Sequence, residues 1–571
     1  MKNYVRLLLL LVAMICFENV AAQAPQKMSY QAMIRDAAGT LVTNRPIGIR
    51  VSILSGSVSG NAVYVETHST STNPNGLMTI EIGGGTSSLS LSNVNWGAGP
   101  FFIKTETDPN GGSNYTIIGT SQLLSVPYAL YAENSKQQGK TSIYLTGAVT
   151  NEQAAQKILK EAGPNTENII ITNTTALTSV DLQNLTTLFK LNVINNTALT
   201  MLNLGTSMSE IYGNLTISRN PVLTAINASG LKFSYEDLSV SENPLLNSVS
   251  FPVLESTAKV LIQDNSHLNT LDFPNLKTSH DDLFISGNEV LNSINFPVLE
   301  TCQNLTIKSN SHLQTLQFPT LKTSGYLEIS NNILLTSINL SYFESSTSLS
   351  ISGNNISNLS FPSLLHGSVG ITSNPNLTTV EFPIYQRLLR GANDLQDPQM
   401  GFSYNPLLTS ISIPSLIYGY KLDVFECPNL STINLPSLIS ASIVLYNVKL
   451  TSFTLPRYVD GGINIRNSNY LTSISLPVMT SGSLQAINNA NLSAISIPTY
   501  AAMDPGYPTI SLQYNRLPST QVNEILHKLI TVTPNSGKNI QIRQSPTAPP
   551  IGQGIIDKQT LIDAGNQVNT D

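Results

Sequence analysis

One phrase recurs along most of this chain: an apolar residue, a spacer, an apolar residue, two more spacers, then asparagine. It reads Leu238-x-Val240-x-x-Asn243, Leu283-x-Ile285-x-x-Asn288, Leu305-x-Ile307-x-x-Asn310 and Leu327-x-Ile329-x-x-Asn332. The asparagine slot falls at Asn196, Asn220, Asn243, Asn265, Asn288, Asn310, Asn332, Asn354, Asn374 and Asn405, in steps of 20 to 24 residues except the last, and returns at Asn489 and Asn515. Thr174, Cys427, Asn447 and Ser468 fill the slot elsewhere. A period of this length marks a chain that stacks equivalent turns, because one such unit cannot bury its apolar face alone.

Each slot is followed by a second phrase such as Leu291-x-x-Ile294-x-Phe296-Pro297-x-Leu299, in which apolar residues alternate with Ser, Thr and Asn. Alternation at period two predicts strands, and no helix of ten residues fits between. Repeats in constant register predict parallel stacking, with Leu283, Ile285, Leu291, Ile294, Phe296 and Leu299 turned to one interior. Proline after the second phrase, as at Pro274, Pro297 and Pro319, cannot donate to a ladder and marks where each rung leaves the sheet. An asparagine at every corner needs hydrogen-bond partners, since a buried unpaired amide costs roughly 1–3 kcal/mol. A column of amides pairing with backbone and with each other supplies them.

The fold class expected is mainly β: an N-terminal β-sandwich-like module, then a right-handed parallel β-solenoid with helical caps. Thr150-x-x-Gln153 has the form of a capping box, and Ala154, Ala155, Ile158 and Leu159 make one helical face before Gly163-Pro164. Val522, Ile525, Leu526 and Leu529 make a second, and a short helix is expected from Asp557 to Ala564. The expected organisation is an export signal at 1–22, a β module at 23–133, a linker at 134–141, a cap at 142–168, the solenoid at 169–517, and a cap and tail at 518–571. Within the module, runs such as Ile47 to Ile53 and Phe101 to Glu106 alternate between turn signals such as Asn75-Gly76 and Asn110-Gly111-Gly112.

The amino end carries Lys2 and Arg6, an apolar block from Leu7 to Phe17, and Val20-Ala21-Ala22, the pattern of a cleaved export signal. Met14 and Ile15 before Cys16 argue against a lipid anchor. Nothing later approaches the ~18 uninterrupted apolar residues of a membrane span. Charged residues make up 11% of the chain and the net charge is -6, so there is no basic stripe for phosphates and nucleic acid is not an expected partner. Cys302 and Cys427 lie about five repeats apart, and rungs ~4.8 Å apart put them well beyond the ~7 Å reach of a disulfide; two buried thiols are expected.

Two resemblances follow from these residues. Gln26-Lys27-Met28-Ser29-Tyr30-Gln31-Ala32, Asp36-Ala37-Ala38-Gly39, Phe102-Ile103-Lys104-Thr105-Glu106 and Ser121-Gln122-Leu123-Leu124-Ser125-Val126-Pro127-Tyr128-Ala129-Leu130 resemble a module that fronts many exported proteins of the Bacteroidetes. The repeat, in Leu283-Phe284-Ile285-Ser286-Gly287-Asn288 and Ile294-Asn295-Phe296-Pro297-Val298-Leu299, resembles bacterial surface leucine-rich-repeat proteins and the receptor L-domain. That likeness implies a leucine-rich-type solenoid that binds protein or glycan. The chain lacks the cysteine-rich flanks of receptor L-domains and has a second strand where the shorter-helix repeats have none, so no ligand is carried over.

Motifs for chemistry fail on context. Gly139-Lys140-Thr141 has Asn134 where a phosphate loop needs glycine, and Gly83-Gly84-Gly85 lacks the strand-turn-helix setting of a dinucleotide site. His267 and His312 share a repeat position two rungs apart, too far for one metal, with Val290 between. A solenoid polysaccharide lyase would need clustered carboxylates and a basic proton acceptor, and acids are sparse here. No enzyme activity, cofactor or metal is expected.

Tyr404, Glu426 and Tyr446, with Phe425 beside Glu426, are expected on the outer surface of successive rungs. Aromatic rings flanking a carboxylate suit a sugar chain or a peptide anchor, and cross-strand packing explains them as well. Between Asn374 and Asn405 an insertion carries Arg387 and Arg390, a candidate loop on the binding face, and Tyr500 to Tyr507 forms a second. The function expected is a secreted, periplasmic or cell-surface non-enzymatic adhesion protein that recognises protein or glycan; the alternatives are a structural or self-associating envelope protein and, less favoured, a carbohydrate-active solenoid.

Overall fold

Apolar residues at strand spacing, repeated in constant register, leave the chain one way to bury them: each turn lies on the last. In the computed structural model, which describes residues 27–96, 100–123, 139–386, 399–504 and 506–571, the repeats form a parallel β-solenoid of about 16 turns. Each turn contributes a long strand, such as Thr278–Ser286, Thr301–Lys308 or Thr323–Ser330, to one 22-stranded sheet. Leu283, Leu305 and Leu327 stand in register there, as do Ile285, Ile307 and Ile329. Short strands on the opposite side, such as Ser293–Asn295 and Thr315–Gln317, pair Ile294 with Leu316.

The space between holds the core. Leu283, Ile285, Leu291, Ile294, Phe296 and Leu299 are fully buried. Phe251, Phe273, Phe296 and Phe318 stack with ring centroids 5.4, 5.4 and 5.3 Å apart. One interior column is polar: Thr257, Ser279, Ser324 and Ser346 are buried, and the long strands slip register at a bulge beside Thr257, Ser279 and Ser346. A bulge frees carbonyls from the ladder, and the hydroxyls take them up, Thr257 donating to Lys259 O at 3.2 Å and Ser346 to Ser348 O at 2.9 Å. Cys302 occupies the same column, its Sγ 3.8 Å from Ser324 Oγ.

The long sheet extends on both sides of the 169–517 span. Its first strand, Ser142–Gly147, pairs with Asn168–Thr174, and the helix Asn151–Glu161 lies between them in sequence. Thr150 and Gln153 cap that helix reciprocally, at 3.0 Å from Thr150 N to Gln153 Oε1 and 3.4 Å in return. After the helix Ser519–Ile530 the chain rejoins the sheet with Asn539–Gln541 and, after a helix at Gln553–Asp563, with Gln567–Asn569. The region expected to be only cap and tail thus adds strands, with helices where other turns place a short strand. No helix among the described residues is long and apolar enough to cross a membrane.

The N-terminal unit is a four-stranded antiparallel sheet, in spatial order Ala62–Ser71, Pro46–Ser55, Phe101–Asp108, Ile117–Gln122, with a separate antiparallel pair, Met28–Met33 and Leu77–Ile82. Ile47, Ile49, Val51 and Ile53 of the sheet share one core with Met28, Ile80, Ile82 and Trp96. The expected export signal at 1–22, most of the 134–141 linker, and Arg387 and Arg390 of the insertion lie outside the described residues.

Candidate ligand-binding face of the solenoid

The corners decide how side chains are presented on the outer surface. The residue before each slot takes a left-handed conformation, at φ 55° for Asp264, 67° for Gly287, 55° for Asn331, 54° for Tyr404 and 51° for Glu426. That twist turns the slot side chain inward, and Asn196, Asn220, Asn243, Asn265, Asn288, Asn310, Asn332, Asn354, Asn374, Asn405, Asn489 and Asn515 are all buried. Asn288 is representative. Its N–H and its Nδ2 both donate to Asn310 Oδ1, at 3.1 and 3.2 Å, and Nδ2 also reaches Ile262 O and Ser286 O, each at 3.1 Å.

Three rungs change the chemistry of the column. Cys427 offers only weak sulfur contacts, 3.5 Å to Phe425 O and 3.8 Å to Phe402 O. The next slot belongs to Val448, which pairs with Cys427, and not to Asn447. Asn447 stands one place earlier at φ 54° and donates to Glu426 Oε2 at 2.7 Å. Asparagine suits either position, since its amide can fill the buried slot and its backbone tolerates the left-handed corner. Ser468 then accepts from Val448 N at 3.4 Å. At the far end Gln544 takes over, donating to Leu512 O at 2.8 Å and Ile542 O at 2.9 Å, and its own N–H meets Asp571 Oδ2 at 2.8 Å.

Corner geometry also corrects the register of the outward aromatics. Tyr404 and Glu426 share the left-handed column, but Tyr446 pairs with Phe425, one column over. Phe425 and Tyr446 stack on each other with centroids 6.0 Å apart. A second aromatic group, which the sequence reading missed, lies on the earliest rungs: Tyr212 and Tyr235 stack at 5.2 Å and 8°, with Phe233 6.0 Å from Tyr235.

Between rungs 326 and 423 the outer face of the long sheet loses its large side chains. The central column reads Glu328, Ser350, Gly370, Gly401, Asp423, each in register with the next. With no side chain at Gly370 or Gly401, the sheet backbone floors a trough of about 400 Å³, lined by Tyr326, Ser348, Ser350, Ser368, Gln399 and their neighbours. Tyr326 and Glu328 flank one end, and the rung of Lys421 and Asp423 lies beyond the other. At one, Tyr326 Oη lies 3.5 Å from Glu328 Oε2, whose Oε1 accepts from Ser330 at 2.7 Å; burial first and then Glu328 raise the Tyr326 phenol above its usual range. At the other, Lys421 Nζ meets Asp423 Oδ2 at 2.6 Å beside exposed Phe425. A larger cleft, about 510 Å³, runs between the helix Ser519–Ile530 and the short strands around Ile474 and Ile495. It arises where the helix replaces a strand, and Gln521 Oε1 accepts from Ile495 N there at 3.0 Å.

The glycine triplet of the N-terminal unit has an internal partner. Gly83 and Gly85 donate their N–H groups to the buried Glu66 carboxylate at 3.0 and 2.9 Å, Tyr64 Oη donates to it at 2.9 Å, and His68 Nε2 lies 3.0 Å away. Burial and then the Glu66 bond push the Tyr64 phenol up to about 12. His312 Nδ1 is 2.6 Å from Glu289 O, and among the described residues no three His, Cys, Asp or Glu side chains gather as metal ligands would.

The fold and this face define a mainly β protein whose parallel β-solenoid presents a long outer sheet with a glycine-floored trough. Residues 29–119 match the family model of a domain of unknown function, DUF8740, which places that likeness on the N-terminal unit. No curated protein matches the chain.

Proposed function

We propose that this is an exported, non-enzymatic binding protein that recognises a protein or glycan through the outer face of its long-strand sheet. On this reading residues 1–22 are a cleaved signal, the N-terminal unit is a small β-sandwich that spaces or docks the solenoid, and the repeat is of the leucine-rich type. The observation that carries it is the trough over Gly370 and Gly401, walled by serine hydroxyls and the Gln399 amide and flanked at one end by Tyr326 and Glu328. Polar groups converging on a concavity are the usual form of a ligand site. A binding role fits better than glycoside hydrolysis. Glu328 and Asp423 stand four rungs apart, ~19 Å at strand spacing, and the paired carboxylates of glycosidases sit within about 10 Å.

The test is a surface-plasmon-resonance screen of the mature chain against purified matrix proteins and a glycan array. Saturable binding weakened by Phe425→Ala with Tyr446→Ala supports recognition. Absence of any binding to either panel opposes it. The exposed group of Tyr212, Tyr235 and Phe189 favours a second reading, a self-associating envelope component, because clustered exposed apolar surface marks association sites. Concentration-dependent assembly in light scattering, abolished by Tyr212→Ala, would support it.

A further inference from the structure

We propose that the trough holds a neutral oligosaccharide of about four sugar units, laid along the stacking direction of the rungs. This rests on the reading of the outer sheet face as the recognition surface. Four observations select the ligand class. The floor is backbone, Gly370 and Gly401, walled by the hydroxyls of Ser348, Ser350 and Ser368 and the amide of Gln399. Such a floor lacks the deep apolar pockets that anchor protein side chains, whereas hydroxyls and amides match the donors and acceptors of a sugar.

One ring stands at an end, Tyr326, where an apolar pyranose face can rest, and Lys421 closes the same column at the other. From the Tyr326 rung to the Lys421 rung is ~19 Å, four steps of ~4.8 Å, and one rung is close to the advance of one pyranose in an extended chain. Charge decides the rest. Lys421 is neutralised by Asp423 at 2.6 Å, which leaves Glu328 to repel a uronate or sulfate and to accept from a neutral hydroxyl.

The floor can be filled without disturbing the backbone. A Cβ at Gly370 or Gly401 meets nothing closer than 4.0 Å, and neither residue has the positive φ that would strain a side chain. Isothermal titration of the mature chain with cellotetraose, xylotetraose, mannotetraose and chitotetraose is the experiment. At least one is expected to bind saturably, with affinity falling tenfold or more in Gly401→Val and in Tyr326→Ala and unchanged in Tyr212→Ala. No saturable isotherm with any of the four, a stronger response to tetragalacturonate, or binding indifferent to Gly401→Val overturns the proposal. If instead a purified matrix protein binds and Gly401→Val blocks it, the sugar assignment falls and the recognition face stands; if neither sugar nor protein binds, both fall.

Discussion

Asn288 gives two hydrogens, one from its backbone and one from its side chain, to a single oxygen, Oδ1 of Asn310, at 3.1 and 3.2 Å. The same relation joins Asn265 to Asn288, at 3.2 and 3.3 Å. Each amide is therefore acceptor for the rung before it and donor to the rung after, so the column works as a shared spine along the rungs that carry asparagine.

Replacing Asn288 with leucine adds apolar volume, removes the acceptor of Asn265 N and takes the side-chain donor from Ile262 O and Ser286 O. Leaving a buried polar group unpaired costs roughly 1–3 kcal/mol, so Asn288→Leu is expected to lose at least about 2 kcal/mol in urea denaturation. A melting temperature equal to or above that of the parent would contradict the ladder.

Gly401 sits inside a strand, where glycine is weaker than a side-chain-bearing residue by roughly 0.5–1 kcal/mol. Open space stands where its Cβ would be. Gly401→Val is expected to raise stability by about that amount in chemical denaturation, while removing ligand binding. Destabilisation by more than about 1 kcal/mol would show that the floor is packed and not open.

Burial pushes the thiols of Cys302 and Cys427 up to about 11, and both are free. A thiol needs exposure and thiolate character to react, so at pH 8 neither should be alkylated by iodoacetamide in the native protein. Both should be alkylated in 6 M guanidinium, as peptide mass mapping would show. Rapid native labelling of either would contradict the interior placement.

In the N-terminal unit, hydrogen bonding from Arg50 Nε at 2.6 Å and the nearby Lys104 hold Glu106 down to about 2. Its folded value lies below the unfolded one of ~4.3, so its contribution is complete above that pH and lost as pH falls toward 2. Trp96 is the single tryptophan and is buried in this unit against Phe101, so its fluorescence reports this melt alone. The melting temperature is expected to fall between pH 4.5 and 2, with a shallower fall in Glu106→Gln. Identical pH profiles would count against the Arg50–Glu106 pair.

The solenoid was legible because its period is carried by residues with strong preferences: leucine and isoleucine for the interior, asparagine for the corner, proline for the exit. Where identity and register part, the reading slipped. Asparagine serves both corner positions, so residue identity alone puts Asn447 in the slot and Tyr446 in the column of Tyr404, where the register puts Val448 and Asn447. The last rungs were hidden because Gln544 and Asp571 replace asparagine, and helices lengthen the step to 27 residues between them. The trough left no sequence signal. Its floor is glycine and serine, which mark no pattern, and Gly370 and Gly401 become neighbours only across the 31-residue step from Asn374 to Asn405.

The most direct measurement compares the two faces of the solenoid against whichever ligand the screen identifies. Arginine is placed at Gly401 on the long-strand face, or at exposed Ser293 on the short-strand face, and the dissociation constant is determined for each. Gly401→Arg is expected to weaken binding by tenfold or more, with Ser293→Arg within twofold of the parent. Loss of binding in Ser293→Arg, with Gly401→Arg unaffected, would place recognition on the opposite side of the molecule and contradict the proposed function.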